Sequence, residues 1–246
     1  MWRQRIAAYI SVKPVLRITQ LVPRRSELGD LAGWRDHIDL HRRVRDSGHT
    51  MVSSRYGRDL IRLAEDVERR GVPGDLVDCG VWNGGSTILL ASGAPSREVW
   101  AFDSFKGLPE PTENDPKLAA DFVGRFVGSE DMLEQGFRDY GLDNPLHIVS
   151  GWFEDTLATA AENIESIAVL HVDADWYESV MIVLRTFYPK LSPGGWVVID
   201  DYEMWSGAKV AADEFRREMN IPTPIVDRHI WQKPTERREQ PLPVDV

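Results

Sequence analysis

Apolar positions recur every three or four residues between 58 and 70, where Leu60, Leu63, Ala64 and Val67 share one face. That spacing predicts a helix packed on one side, stopped by Gly71-Val72-Pro73-Gly74. The period then changes. Residues 76–79, 99–102, 147–149 and 196–199 are short apolar runs of strand length. Residues 167–172 are almost wholly apolar and rich in β-branched side chains, as in a strand buried on both faces. Between these runs the helical period returns. It is found near 86–92, at Leu133, Phe137 and Tyr140 ahead of Gly141, near 156–164, and at 207–219. It is also found at 177–191, with Val180, Val183, Leu184 and Phe187 turned inward. Ser192-Pro193-Gly194-Gly195 predicts a turn, and 225–231 a last strand. Strand and helix alternate, so the predicted fold is α/β: a Rossmann-like, doubly wound, mostly parallel sheet covered on both faces.

Residues 1–50 break the pattern. They are rich in Arg and Asp, and their apolar residues cluster briefly at 6–10 and 15–22. They predict an irregular or helical N-terminal extension that serves as a lid or as a contact with another subunit. Residues 51–234 make the α/β domain, and residues 235–246 predict a loose tail. The chain has 246 residues and a net charge of −10. Such a surface repels phosphate backbones, so nucleic acid is not an expected partner. The one basic stretch (Arg3, Arg5, Lys13, Arg17, Arg24, Arg25) has no nucleic-acid motif around it. The single cysteine, Cys79, allows no intrachain disulfide and no cysteine-type zinc site, which fits a reducing cytoplasm. No apolar run approaches the roughly 20 residues of a membrane helix, and none reads as a secretory leader.

The first predicted strand runs into Asp78-Cys79-Gly80-Val81-Trp82-Asn83-Gly84-Gly85-Ser86-Thr87. Glycines let backbone approach a ligand, Ser86 can cap the following helix, and a helix N-terminus favours a negative group. A P-loop needs Lys after its last glycine, and Ser86 stands there instead. The dinucleotide pattern Gly-x-Gly-x-x-Gly does not match either. Asp103 ends the second strand 23 residues past Gly80, near the distance of a ribose-binding acid. An acid-x-Gly-x-x-x-Gly turn followed by an acid at the next strand end suits S-adenosylmethionine. Its carboxylate and ammonium fit the turn, and its ribose fits Asp103. A tight strand–helix turn without a ligand is the plain alternative. Trp152 follows Gly151 at the end of the third strand and could stack on an adenine.

Two further strands run into aspartates: 167–172 into Asp173-Ala174-Asp175, and 196–199 into Asp200-Asp201-Tyr202. Ligands of an open α/β sheet bind beyond the carboxyl ends of its strands, so both clusters face the glycine turn and Asp103. Several carboxylates at one place repel each other unless a cation is present. All-oxygen ligands suit a hard cation, Mg²⁺ first, then Mn²⁺ or Ca²⁺. Asp173, Asp200 and Asp201 are the expected metal ligands. Asp175 opens Asp-Trp-Tyr-Glu178, the spacing of a capping box, and is expected to cap the next helix rather than bind metal. His171 and His147 sit in strands and read as core histidines. Tyr9-x-x-x-Lys13 has a dehydrogenase spacing but precedes the nucleotide-binding unit, and the serines lack a nucleophile-elbow setting.

The segments 77–86 and Phe102-Asp103-Ser104-Phe105-Lys106-Gly107-Leu108-Pro109 resemble those of the TylF/MycF-type (macrocin-type) O-methyltransferases. So do Gly151-Trp152-Phe153-Glu154-Asp155-Thr156-Leu157, Val172-Asp173-Ala174-Asp175-Trp176-Tyr177-Glu178-Ser179, residues 188–195, and Ile199-Asp200-Asp201-Tyr202. The motifs stand in order across roughly residues 50–233. The resemblance implies the class I methyltransferase form of the sheet. It also implies Mg²⁺-dependent transfer of a methyl group from S-adenosylmethionine to a hydroxyl of a secondary-metabolite sugar. On it, Asp173, Asp200 and Asp201 hold the metal and Asp173 is the catalytic base. The cofactor lies against Thr50, Met51, Asp78, Gly80, Val81, Gly84, Gly85, Ser86, Asp103, Ser104, Phe105, Gly107, Gly151, Trp152 and Phe153. The family's usual Glu is the shorter Asp78 here. The acceptor is a small molecule, most simply a glycoside, and a homodimer or larger homo-oligomer is expected. A catechol- or phenol-type methyltransferase and a non-catalytic nucleotide-binding protein are the alternatives.

Overall fold

A computed structural model of the chain describes residues 31–235 other than Arg228. The expectations for residues 1–30, Tyr9 and Lys13 included, and for residues 236–246 lie outside the described residues. The described residues open with helices α1 (Leu31–Asp46) and α2 (Ser54–Arg70). It continues through β1 (Asp75–Cys79), α3 (Gly85–Gly93), β2 (Val99–Asp103), α4 (Glu130–Asp139) and β3 (Leu146–Ser150). Then follow α5 (Phe153–Ala161), β4 (Ile167–Val172), α6 (Tyr177–Phe187), β5 (Leu191–Ile199), α7 (Ser206–Glu218) and β6 (Ile230–Gln232). No helix of the described residues is long and apolar enough to cross a membrane.

The strand order is β3-β2-β1-β4-β5-β6. The first five strands run parallel, and β6 pairs antiparallel with β5. The chain moves outward from β1 to β3 and then returns to lay β4 beside β1. That reversal opens a crevice beyond the carboxyl ends of β1 and β4. The last strand is shorter than its apolar run predicts. Val226 and Ile230 form a tight bridge, so the chain turns on itself before β6 begins. β5 in turn starts earlier than expected, with the predicted turn at 192–195 inside it and Gly194 at φ +82°.

Side-chain alternation splits the core into two layers. Val77, Cys79, Leu170 and Val172 face α5, α6 and α7, packing with Leu157, Val180, Phe187 and Phe215. Leu76 and Val169 face the other way, onto Leu60, Ala64, Ile88 and Leu133 of the remaining helices. Period-2 alternation puts Asp78 and His171 on this second face, under α2.

Ser53 caps α2, and Gly71 ends it in the left-handed conformation, as the glycine-proline stop requires. α3 starts differently from expectation. Its N-cap is Gly84, with no side-chain cap, and Ser86 lies inside the helix. The Ser86 hydroxyl instead donates to the buried carboxylate of Asp78.

Candidate functional site

The carboxyl ends of the parallel strands deliver the singled-out residues to one side of the sheet. Gly80 follows β1, Asp103 ends β2, Gly151 follows β3, Asp173 follows β4, and Asp200 and Asp201 follow β5. The glycine turn is fixed by close packing. Gly80 has φ +90°, and a Cβ there would lie 1.7 Å from the Asp173 carbonyl oxygen. A Cβ at Gly85 would meet Thr50 at 2.3 Å, and the Gly85 amide donates to His49 O. The segment at Thr50 thus lies directly against the start of α3, with Thr50 buried and Met51 exposed. Val81 is buried beside it.

Asp103 organises this turn as well as the loop after β2. One of its oxygens accepts from Trp82 N at 2.8 Å and the other from Phe105 N at 2.7 Å. Burial raises its carboxyl above the ordinary range, and these amides pull it back. Ser104 and Gly107 close that loop through a hydrogen bond from the Ser104 hydroxyl to Gly107 O. Gly151 N donates to Asp103 O, tying in the end of β3. Trp152 is the N-cap of α5, with Lys106 Nζ 6.0 Å from its ring centre, and Phe153 is the helix's first residue.

Asp78 is fully buried. Its Oδ2 accepts from Ser86 Oγ at 2.8 Å and Thr87 Oγ1 at 2.7 Å, and its Oδ1 pairs with His171 Nδ1 at 2.6 Å. It therefore supports the turn from beneath, and neither oxygen is open to solvent. His171 is a hydrogen-bonded core residue, as its place in the strand predicts, since its Nε2 meets the Tyr56 hydroxyl at 2.8 Å.

The aspartates form one electrostatic cluster. Oxygens of Asp173, Asp175 and Asp201 lie within 4.8 Å of one another. Asp200 stands beside them, close enough for its charge to raise the proton affinity of the other three. Asp175 does not cap α6. The N-cap position is Trp176, and Asp115, from a distant loop, accepts from Tyr177 N at 2.9 Å. Asp175 sits at φ +56° and its carboxylate accepts from Trp205 Nε1 at 3.0 Å. The capping-box spacing misled because another segment had already supplied an acceptor to the helix start. The roles of Asp175, Tyr56 and Asp115 carry no local signal beyond an acid-x-acid pair after a buried strand.

Burial, with the other carboxylates nearby, pushes Asp173 and Asp201 well above the usual carboxylate range and Asp200 above it. Asp175 rises to about 7 through burial and the Asp200 charge, against the Trp205 hydrogen bond. The native cluster therefore retains protons that an unfolded aspartate loses near pH ~4. Across that interval the native state binds more protons than the unfolded state, so metal-free stability falls as pH rises from about 4 through about 7. A divalent cation would replace the protons. Scanning fluorimetry is expected to show a lower metal-free melting temperature at pH about 8 than at about 6, and a larger rise on adding Mg²⁺ at the higher pH. Equal rises at both pH values would mean that no proton of the cluster is displaced by the cation, and no rise at either would mean that none binds.

An aromatic wall stands next to the carboxylates. Trp205 packs edge-on against Trp176 and Phe122, at 5.0 and 5.3 Å between ring centres, and Phe122 stacks with Phe126 at 6.3 Å. Phe126, Val127, Leu118 and Met204 are exposed large apolar side chains. The crevice thus joins a polar, acidic floor to an apolar side.

Residues 34–232 match the protein family described as macrocin-O-methyltransferase (TylF). The chain is 38% identical over 202 residues to the demethyldecarbamoylnovobiocin O-methyltransferase of Streptomyces niveus, covering 76% of each protein. It is 36% identical over 192 residues to the mycinamicin III 3''-O-methyltransferase of Micromonospora griseorubida, covering 73% of this chain and 74% of that enzyme. Among solved structures, the O-methyltransferase NovP superposes with a TM-score of 0.69 at 38% identity, covering 76% of this chain and 82% of NovP. A calicheamicin methyltransferase shares the fold, with a TM-score of 0.59 at 18% identity, over 82% of this chain and 93% of that one.

Proposed function

The chain belongs to the TylF macrocin-O-methyltransferase family of S-adenosylmethionine-dependent enzymes, and from that premise we propose that it is a Mg²⁺-dependent O-methyltransferase acting on a sugar hydroxyl of a glycosylated natural product. The observation that carries the metal reading is the convergence of half-buried and buried carboxylates beyond β4 and β5. The donor set fits: it is all oxygen, and its like charges stay this close, largely out of water, only if protons or a cation neutralise them. Asp173, Asp200 and Asp201 are the proposed ligands, with Asp175 beside them. The acceptor reading is supported by relatives named for mycinamicin and for a rhamnosyl-tetracenomycin. The apolar wall at Phe122 and Phe126 suits the non-sugar part of such a molecule.

The sulfonium of S-adenosylmethionine is already a good leaving group, so the chemical difficulty lies in the acceptor hydroxyl. Mg²⁺ held by Asp173, Asp200 and Asp201 would supply Lewis acidity that makes the acceptor hydroxyl easier to ionise. The glycine turn and the loop held by Asp103 bind the methyl donor at the ends of β1 and β2. The carboxylates at the ends of β4 and β5 hold the acceptor oxygen in line with the methyl group. Asp173 takes the hydroxyl proton as the oxygen–carbon bond forms.

The test begins with isothermal titration against S-adenosylhomocysteine and NAD, with and without Mg²⁺. An acceptor panel of diol-bearing glycosides and catechols follows. Expected are binding of the homocysteine compound but not NAD, methylation of a glycoside, loss of turnover in EDTA and its return with Mg²⁺. Methylation of catechols alone would overturn the acceptor class, and turnover unaffected by EDTA would overturn the metal.

A further inference from the structure

Asp115 lies in the loop between β2 and α4, 62 residues before Tyr177. Its Oδ1 accepts from Tyr177 N at 2.9 Å, and its Oδ2 accepts from Thr112 N at 2.9 Å and Thr112 Oγ1 at 3.1 Å. Both oxygens are therefore committed. Two neighbours build the contact. Trp176 Nε1 donates to Pro109 O at 2.9 Å, tying the same loop to the same helix start. Gly207, near the start of α7, leaves the space, since a Cβ there would lie 1.9 Å from Asp115 Oδ1. The amide that Asp115 takes has a second claimant. Tyr177 N stands two residues after Asp175, where the side chain of a helix-capping aspartate finds its donor. Asp175 gives that amide up. Its backbone is at φ +56°, not in the extended conformation of a cap. Its carboxylate lies instead with those of Asp173 and Asp201, within 4.8 Å, and accepts from Trp205 Nε1 at 3.0 Å.

We propose that Asp115 is a positioning residue for the cation site: by holding the Tyr177 amide, it keeps the Asp175 carboxylate out of the helix cap and turned towards Asp173 and Asp201. The inference rests on the cation reading of the cluster given above. Anchoring the loop is already served by the bond from Trp176 to Pro109. What Asp115 adds is to occupy the amide that Asp175 would otherwise take. Without Asp115, an unpaired amide at the helix start and a left-handed aspartate stand two residues apart. A return of Asp175 to extended backbone relieves both at once. That return carries its carboxylate off the cluster, and repulsion from Asp173 and Asp201 drives it the same way while no cation is bound. Partners that orient the groups of a metal site commonly matter about 10–100-fold for metal affinity or activity.

The experiment uses the full chain, Asp115→Ala, and Asp115→Asn, which keeps an acceptor for Tyr177 N. Mn²⁺ affinity is read from free Mn²⁺ by electron paramagnetic resonance, and S-adenosylhomocysteine affinity by calorimetry. The expected result is one Mn²⁺ site in the wild type, weakened about tenfold or more in Asp115→Ala and largely restored in Asp115→Asn, with S-adenosylhomocysteine affinity unchanged throughout. In an Asp175→Ala background, where no carboxylate is left to be drawn away, Asp115→Ala should cause no further loss. Should Asp115→Ala fail to fold, Gly207→Ala serves in its place, because its methyl group displaces the Asp115 carboxylate while favouring α7. Wild-type Mn²⁺ affinity in the variant that folds would overturn the inference, even if that variant melts earlier. A loss of the same size without Asp175, or equal losses of both ligands, would make Asp115 a residue of the fold and overturn it too. No Mn²⁺ binding by the wild type would overturn both this inference and the cation reading, whereas a Mn²⁺ site insensitive to Asp115 would leave that reading standing.

Discussion

Asp173→Asn is expected to lower kcat by about three orders of magnitude, through loss of both the proton acceptor and a charge facing the cation. The affinity for S-adenosylhomocysteine should stay near that of the wild type. Asp173 follows β4, while the turn proposed for the cofactor is built by β1, β2 and the segment at Thr50. The same substitution removes one charge from a cluster whose members raise each other's proton affinity. The metal-free variant should therefore melt no earlier than the wild type at pH about 8, where the like charges cost most. A steady-state methylation assay on the acceptor found in the panel, with calorimetry and scanning fluorimetry, measures all three. Full turnover in the variant would remove Asp173 from the mechanism. Loss of cofactor binding in parallel with turnover would mean that it holds the crevice together instead.

Gly80→Ala is expected to destabilise the fold by about 3–5 kcal/mol, read as a lower midpoint of urea unfolding, and to abolish turnover. Two costs coincide. The backbone is in the left-handed region at φ +90°, and the added Cβ would collide with backbone, 1.7 Å from Asp173 O and 2.7 Å from its carbonyl carbon. Neither side can yield cheaply. Gly80 N is bound to Phe102 O at 2.7 Å, and Asp173 N to Cys79 O at 2.8 Å, so a shift would unzip the ends of three strands. Gly71 provides the contrast. It too is left-handed, at φ +63°, but nothing lies within 4 Å of its Cβ position. Gly71→Ala should cost only the conformational strain, about 1–2 kcal/mol. Similar losses at the two positions would mean that the approach of Gly80 to Asp173 is not what demands glycine there.

Much of the architecture is legible along the chain. The alternation of period-2 and period-3.6 segments marks β1 to β5 and their helices, because burial imposes those periods on each element by itself. The acids and glycines at strand ends are legible for a similar reason. The first polar residues after a buried strand have to emerge where the sheet ends. The lengths of β5 and β6 are less legible. Gly194 is accommodated within the strand, and the bridge between Val226 and Ile230 takes up the apolar run that reads as strand.

By itself, then, the sequence determined the α/β alternation, the glycine turn, the acid at the end of β2 and the acidic pairs after β4 and β5. Each of these is set by the residue's own backbone or by neighbours within a turn. Only the tertiary structure decided what those residues do to one another. Asp115 reaches the start of α6 and releases Asp175 to the carboxylate cluster. Asp78 turns inward to Ser86, Thr87 and His171, and Tyr56 meets His171 from a helix that precedes the whole sheet. The reason is physical. A side chain's partners across sixty to more than a hundred residues follow from strand order and register, and the return of the chain to place β4 beside β1 is a property of the packed sheet that no local pattern encodes.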